Sequence, residues 1–105
     1  MTRVYIDISL FTPNSSVGVI NGHLDLEKVP GEGGTVAFDR PIAPVVAPGV
    51  SGFRSHLAVE HVSPPVAGTS EVLLSLADIT VASRADALKV AEYLHSGFGL
   101  NFDEH

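Results

Sequence analysis

The stretch from Glu71 to Gly97 constrains the fold more than any other, because an apolar strand in it runs directly into an amphipathic helix. Ser83 followed by Asp86 has the spacing of a capping pair, a side-chain oxygen at the helix start and a carboxylate in the first turn. Ala87, Val90, Ala91, Leu94 and Phe98 recur at intervals of three and four and so share one helical face. Asp86, Lys89 and Glu92 lie off that stripe, and Gly97 stands where a left-handed C-terminal cap is expected.

The strand ahead of the helix is apolar in both phases. Val72, Leu74 and Leu76 point one way, while Leu73, Ile79 and Val81 point the other. A strand of that kind is central and covered on both sides, or else its phase shifts at a bulge near Ala77 and Asp78. One helix covers one face only, so the other face needs a cover from this chain or from another.

Towards the N-terminus, Val4, Ile6, Ile8 and Leu10 alternate with Arg3, Tyr5, Asp7 and Ser9, the two-residue period of a half-buried strand. After a turn at Thr12 to Ser16, a second strand places Ile20, Gly22, Leu24 and Leu26 inward and Asn21, His23, Asp25 and Glu27 outward. A hairpin that keeps both apolar faces together pairs odd residues with odd ones. Centred on Asn14, it sets Arg3 opposite Asp25, Tyr5 opposite His23, and Asp7 opposite Asn21.

A glycine turn at Val29 to Gly34 precedes a short strand around Thr35 to Asp39. Residues 41–52 then change character, with Pro41, Pro44 and Pro48 punctuating a run of Ile, Ala and Val. Proline removes backbone donors, which makes this an extended arm and a poor central strand. Ile42, Val45, Val46 and Val50 are nonetheless too apolar for a solvated loop. They pack over the chain's own sheet or form an interface with another subunit. A fourth strand runs from Phe53 to Val62, with Leu57 and Val59 inward, Arg54, His56 and Glu60 outward, and His61 on the apolar side. Ser63-Pro64-Pro65 and Ala67-Gly68 connect it to the strand before the helix, and residues 102–105 form a frayed tail.

With 105 residues the chain makes a single domain, 1–105. Its hydrophobic content of 45% against 17% charged residues excludes a disordered chain and points to apolar surface hidden by self-association. A net charge of −6 with only six Lys and Arg argues against a nucleic-acid partner. The absence of cysteine removes disulfides, thiol nucleophiles and zinc–thiolate sites. The opening segment, interrupted by Asp7, is too short for a signal peptide, and no run reaches the length of a membrane span. The expectation is a cytoplasmic protein with no membrane partner.

Chemical motifs are scarce. Gly31-Glu32-Gly33-Gly34 lacks the spacing and the Lys-Ser/Thr of a phosphate loop, and Gly49-Val50-Ser51-Gly52 lacks the residue a nucleophile elbow needs. Asn14-Ser15-Ser16 matches a glycosylation acceptor only formally. His56 and His61 are five apart and on a straight strand face opposite sides. His95 falls near the helix C-terminus, where a cation suits the dipole. No catalytic set, metal set or cofactor is expected. There is no internal repeat of useful length, and no stretch carries a recognisable family signature.

One constellation remains, the outward face of the first hairpin: Arg3, Tyr5, Asp7, Asn21, His23 and Asp25. An imidazole, carboxylates and a phenol on a rigid ladder suit acid–base work or a polar ligand, and equally suit a solvated face of cross-strand pairs.

The order strand, strand, strand, arm, strand, strand, helix predicts an α+β domain. Its sheet is curved and mostly antiparallel, has about five strands, and carries the C-terminal helix on one face. A partly closed barrel plugged by the helix is the alternative. Three functions are compatible with this reading. The first is a non-catalytic binding or regulatory protein (an inhibitor, an immunity-type factor or an accessory subunit) acting on a protein partner. The second is a self-assembling homo-oligomer clasped by residues 41–50. The third is a small cofactor-independent enzyme using the hairpin face.

Overall fold

The computed structural model describes residues 2–42, 44–65 and 71–105. Ala43 and the predicted connection through Ala67-Gly68 lie outside the described residues. The elements are β1 (Thr2–Thr12), β2 (Ser15–Leu26), β3 (Thr35–Ala37), β4 (His56–Ser63), β5 (Leu73–Leu76), β6 (Ile79–Thr80), α1 (Arg84–Phe98) and β7 (Asn101–Glu104). The fold is α+β: one helix on a seven-stranded, mostly antiparallel, open sheet of order β3-β4-β5-β1-β2-β7, with β6 also paired to β1. The strand count exceeds the expected five for two reasons. The strand ahead of the helix splits into β5 and β6, and the tail expected to fray at 102–105 forms β7. Among the described residues no helix is long and apolar enough to cross a membrane.

β1 and β2 form the hairpin that the alternation demands. Arg3 pairs with Asp25, Tyr5 with His23, and Asp7 with Asn21. The register slips between Leu10 and Phe11, so Val17 is the extra residue of a bulge and both Val17 and Gly18 turn inward. Val4, Ile6, Ile8 and Leu10 are fully buried on the inward face.

β5 and β6 run parallel to β1 on its other side. The break at Ala77-Asp78 resets the side-chain phase between them. Leu74, Leu76, Ile79 and Val81 therefore all enter the same core beneath the helix. The two-faced strand suggested by Ile79 and Val81 thus dissolves. Of the apolar side chains in the second phase, only Leu73 stays outward, half-buried and opposite Tyr5.

A second bulge, in β4, lies between Val59 and His61. It reverses the expected placing of His61, which is exposed beside Glu32 with Nδ1 3.6 Å from Oε1.

Ser83 is the helix N-cap, its Oγ accepting from the Asp86 N–H at 3.2 Å. The left-handed C-terminal residue is Gly99 (φ 73°), two positions beyond the predicted Gly97. Gly97 instead lies within the helix, buried. A Cβ there would come within 2.8 Å of the Pro41 Cβ and 3.1 Å of Val45. The arm therefore packs on its own helix, and the Ile42 N–H donates to the Gly97 carbonyl at 2.8 Å. This contact explains a glycine that costs about 1 kcal/mol of helix propensity relative to alanine.

The same side of α1 buries Tyr93, a residue outside the stripe read from the sequence. Tyr93 meets Phe53 and Phe98 edge-to-face at centroid separations of 5.8 and 5.5 Å, and Phe98 meets Phe38 at 5.1 Å. The Tyr93 hydroxyl donates to the Phe38 carbonyl. The helix is covered on two sides, by the sheet and by the segment that contains the arm.

Candidate functional site

The six hairpin residues singled out above share the outward face of β1 and β2, and most of their polar groups are already partnered. Arg3 Nε lies 3.7 Å from Asp25 Oδ1. His23 Nε2 is 2.7 Å from Oε2 of Glu71, and the Tyr5 ring meets the His23 ring edge-to-face at 5.2 Å. Asn21 Nδ2 donates to Asp103 of β7 at 3.1 Å. These are half-exposed cross-strand pairs, each worth a few tenths of a kcal/mol up to about 1 kcal/mol. Tyr5 and Asp7 lie away from the molecule's clefts. Glu71, the partner of His23, was missed from the sequence because only tertiary pairing brings it there.

The other four candidate residues divide. Val45 and Val50 are partly buried against the chain's own core, which places that side of the arm in cis. Ile42 and Val46 are 85% and 90% exposed. Val46 and the 42%-exposed Leu88 border a groove of about 430 Å³ between arm and helix.

Another cleft lies at the end of β2. β7 covers the edge of β2 only from Gly18 to Asn21. Beyond that, Leu24–Leu26 keep β1 on one side and have no backbone partner on the other among the described residues. Among the described residues β3 likewise has no strand partner besides β4. Leu24–Leu26 of β2 and Ala37 of β3 border a common seam. A cleft of about 580 Å³ lies between them, within the range of ligand sites.

Leu24, Leu26, Ala37, Ile42 and Phe98 line this cleft. Leu24, Leu26 and Phe98 are partly buried against the main core, so the cleft is an opening onto the core itself. Arg3, His23 and Arg40 stand at its rim. Among the described residues Arg40 makes no ion pair. A continuing cleft of about 540 Å³ carries Asp25, Glu27 and Asp39 together with Lys28, Arg40 and His56.

The hairpin reading therefore found Arg3, His23 and Asp25 but not the cleft they border. Leu24 and Leu26 were legible as inward residues. Nothing in their spacing marks them as lying at an open edge.

Other polar groupings are self-contained. Between α1 and β7 a cleft of about 680 Å³ is bordered by Glu92, His95 and Asp103. There His95 Nδ1 donates to the Leu100 carbonyl at 2.9 Å, and Glu92 accepts from the Ser96 hydroxyl. Among the described residues no three His, Cys, Asp or Glu side chains are grouped to hold a metal. Burial pushes the Tyr93 phenol upward, and the Asp39 carboxylate adds to the shift. The phenol is the donor to the Phe38 carbonyl.

Comparisons with protein-family models, with curated proteins and with solved structures return no match.

Proposed function

We propose that this chain is a non-catalytic binding protein that works through its surface, and that the seam between Leu24–Leu26 of β2 and Ala37 of β3 is the binding site. The observation that carries this reading is the cleft of about 580 Å³, with core leucines and Phe98 on its floor and an unpaired Arg40 at its rim. A mostly apolar concavity with a few convergent polar groups is the default form of a ligand site. The partnered state of the hairpin face supports binding over acid–base chemistry, because His23 is committed to Glu71 and Arg3 to Asp25.

A titration with the fluorescent apolar anion 8-anilinonaphthalene-1-sulfonate, followed by amide chemical shifts, tests the site. Shifts centred on Leu24, Leu26 and Phe98, weakened in an Arg40→Glu variant, are the expected result. Absence of binding, or shifts confined to Val46 and Leu88, overturns it.

A second reading, self-association through the arm, rests on the exposure of Ile42 and Val46. Apolar side chains displayed together are usually hidden from water. Light scattering should then give a mass above one chain that falls to the monomer in an Ile42→Glu/Val46→Glu variant. A monomer at millimolar concentration ends this reading.

A further inference from the structure

Resting on the seam as the binding site, we infer that its occupant is an extended polypeptide segment, added as a strand to the free edge of β2 at Leu24–Leu26 and carrying an acidic side chain towards Arg40. A strand edge presents a row of N–H and C=O groups spaced to pair with another chain. Strand addition converts that row into affinity, each backbone bond contributing about 0.5–1.5 kcal/mol net. At Leu24–Leu26 the open side is offered by the N–H and C=O of Asp25, because Leu24 and Leu26 turn theirs to Val4 and Thr2 of β1. β7 stops short of this edge at Asn21, and no backbone bond among the described residues closes it.

The cleft beside that edge fits the side chains of a strand better than a compact ligand does. On an added strand, alternate residues face the same way. One set enters beside Leu24, Leu26 and Phe98, which are partly buried and apolar. The opposite wall is Ala37 of β3 and Arg40. Arg40 has no carboxylate partner among the described residues, whereas Arg3 has Asp25. A carboxylate on the incoming segment supplies the missing partner, and a planar guanidinium accepts it with paired hydrogen bonds. Further along, Asp25, Glu27 and Asp39 border the continuing cleft. Arg40 itself borders both clefts, so a single acid placed against its guanidinium is accommodated, while a run of acidic residues along the whole seam is disfavoured. The preferred segment is short, alternating and apolar, with one acid.

The test is selection of a phage-displayed library of linear dodecapeptides against the intact chain. Selected peptides should alternate apolar residues and carry an acid. They should displace anilinonaphthalene sulfonate and protect the Asp25 amide, which faces the open side, from hydrogen exchange. Backbone N-methylation of a selected peptide leaves its side chains in place and should abolish binding. Arg40→Glu, a surface change, should weaken acid-bearing peptides about tenfold and leave lysine-bearing analogues bound. Two results overturn the inference while sparing the proposed site: dye binding in the cleft with no selected peptides there, or peptides whose binding survives N-methylation. Loss of dye binding as well removes the site itself. Helical peptides seated on Val46 and Leu88 would assign the partner surface to the arm and helix instead.

Discussion

β2 has two halves that differ in one respect, and the molecule's two ends follow from it. From Gly18 to Asn21 the strand lies between β1 and β7, with Ile20 in the core at 1% exposure. From Leu24 to Leu26 β1 is the one strand partner among the described residues, and the inward side chains are only partly buried. The difference is set by where α1 stops. Its cap is Gly99, so the chain turns back late and β7 begins at Asn101. A helix ending at Gly97 would release Phe98 and Gly99 to continue the pairing towards Leu24. Packing of Pro41 and Val45 on Gly97 accompanies the longer helix.

The contrast between the halves can be broken at either end. The largest effect is expected from truncating their inward residues in turn. Ile20→Ala should cost about 2–5 kcal/mol, the cost of emptying a packed site, whereas Leu26→Ala should cost less, about 1–2 kcal/mol, because Leu26 is only partly buried. Urea unfolding of the two variants measures the gap, and equal losses would mean that the seam is closed in solution.

A smaller effect is expected from opening the closed half. A Cβ on Gly18 would lie 2.3 Å from the Asp103 carbonyl oxygen and 2.7 Å from the Phe102 ring. Gly18→Ala should therefore push β7 off the sheet at a cost of roughly 1–3 kcal/mol. Hydrogen exchange would then show Asn101–Glu104 unprotected and a second free edge on β2. Retained protection would show that the strand yields by sliding.

The smallest effect concerns the lid over the helix. The Tyr93 phenol is shifted upward by burial and by Asp39, so the unfolded chain gives up this proton first. The stability it carries is complete below the ordinary value of 10.0 and is lost as pH rises through the folded-state value. Stability should fall above about pH 10 in the wild type, and this part of the loss should vanish in Tyr93→Phe. That variant should also lose about 1 kcal/mol at neutral pH, because the Phe38 carbonyl loses its donor. Parallel alkaline curves would remove Tyr93 from the account.

Local chemistry made much of this legible in advance. The hairpin register followed from alternation together with a turn centred on Asn14. Alternation pairs odd residues with odd ones, because a one-residue slip would expose Val4, Ile6, Ile8 and Leu10. The helix start followed from Ser83 and Asp86. What escaped was decided at a distance. Gly97 reads as a cap because glycine usually ends helices, yet here it makes room for Pro41. His61 reads as inward because a bulge at Glu60 leaves no mark in composition. Residues 102–105 read as a loose end because Asp103, Glu104 and His105 are polar, whereas the strand Asn101–Glu104 is held by pairing with β2. The seam was the least visible feature, since an unpaired edge is a property of what does not arrive beside it.

The central position of β1 has a bearing on how the chain reaches this state. β1 is flanked by β2 on one side and by β5 and β6, from beyond the arm, on the other. During synthesis the hairpin can close soon after β2 is made. The other edge of β1 lacks its native partners until Leu73–Thr80 emerge. Parallel pairing at that sequence separation is slow, and an apolar face held open meanwhile is prone to wrong partners. The nascent chain thus presents a strand edge of the same kind that the finished protein keeps at its seam.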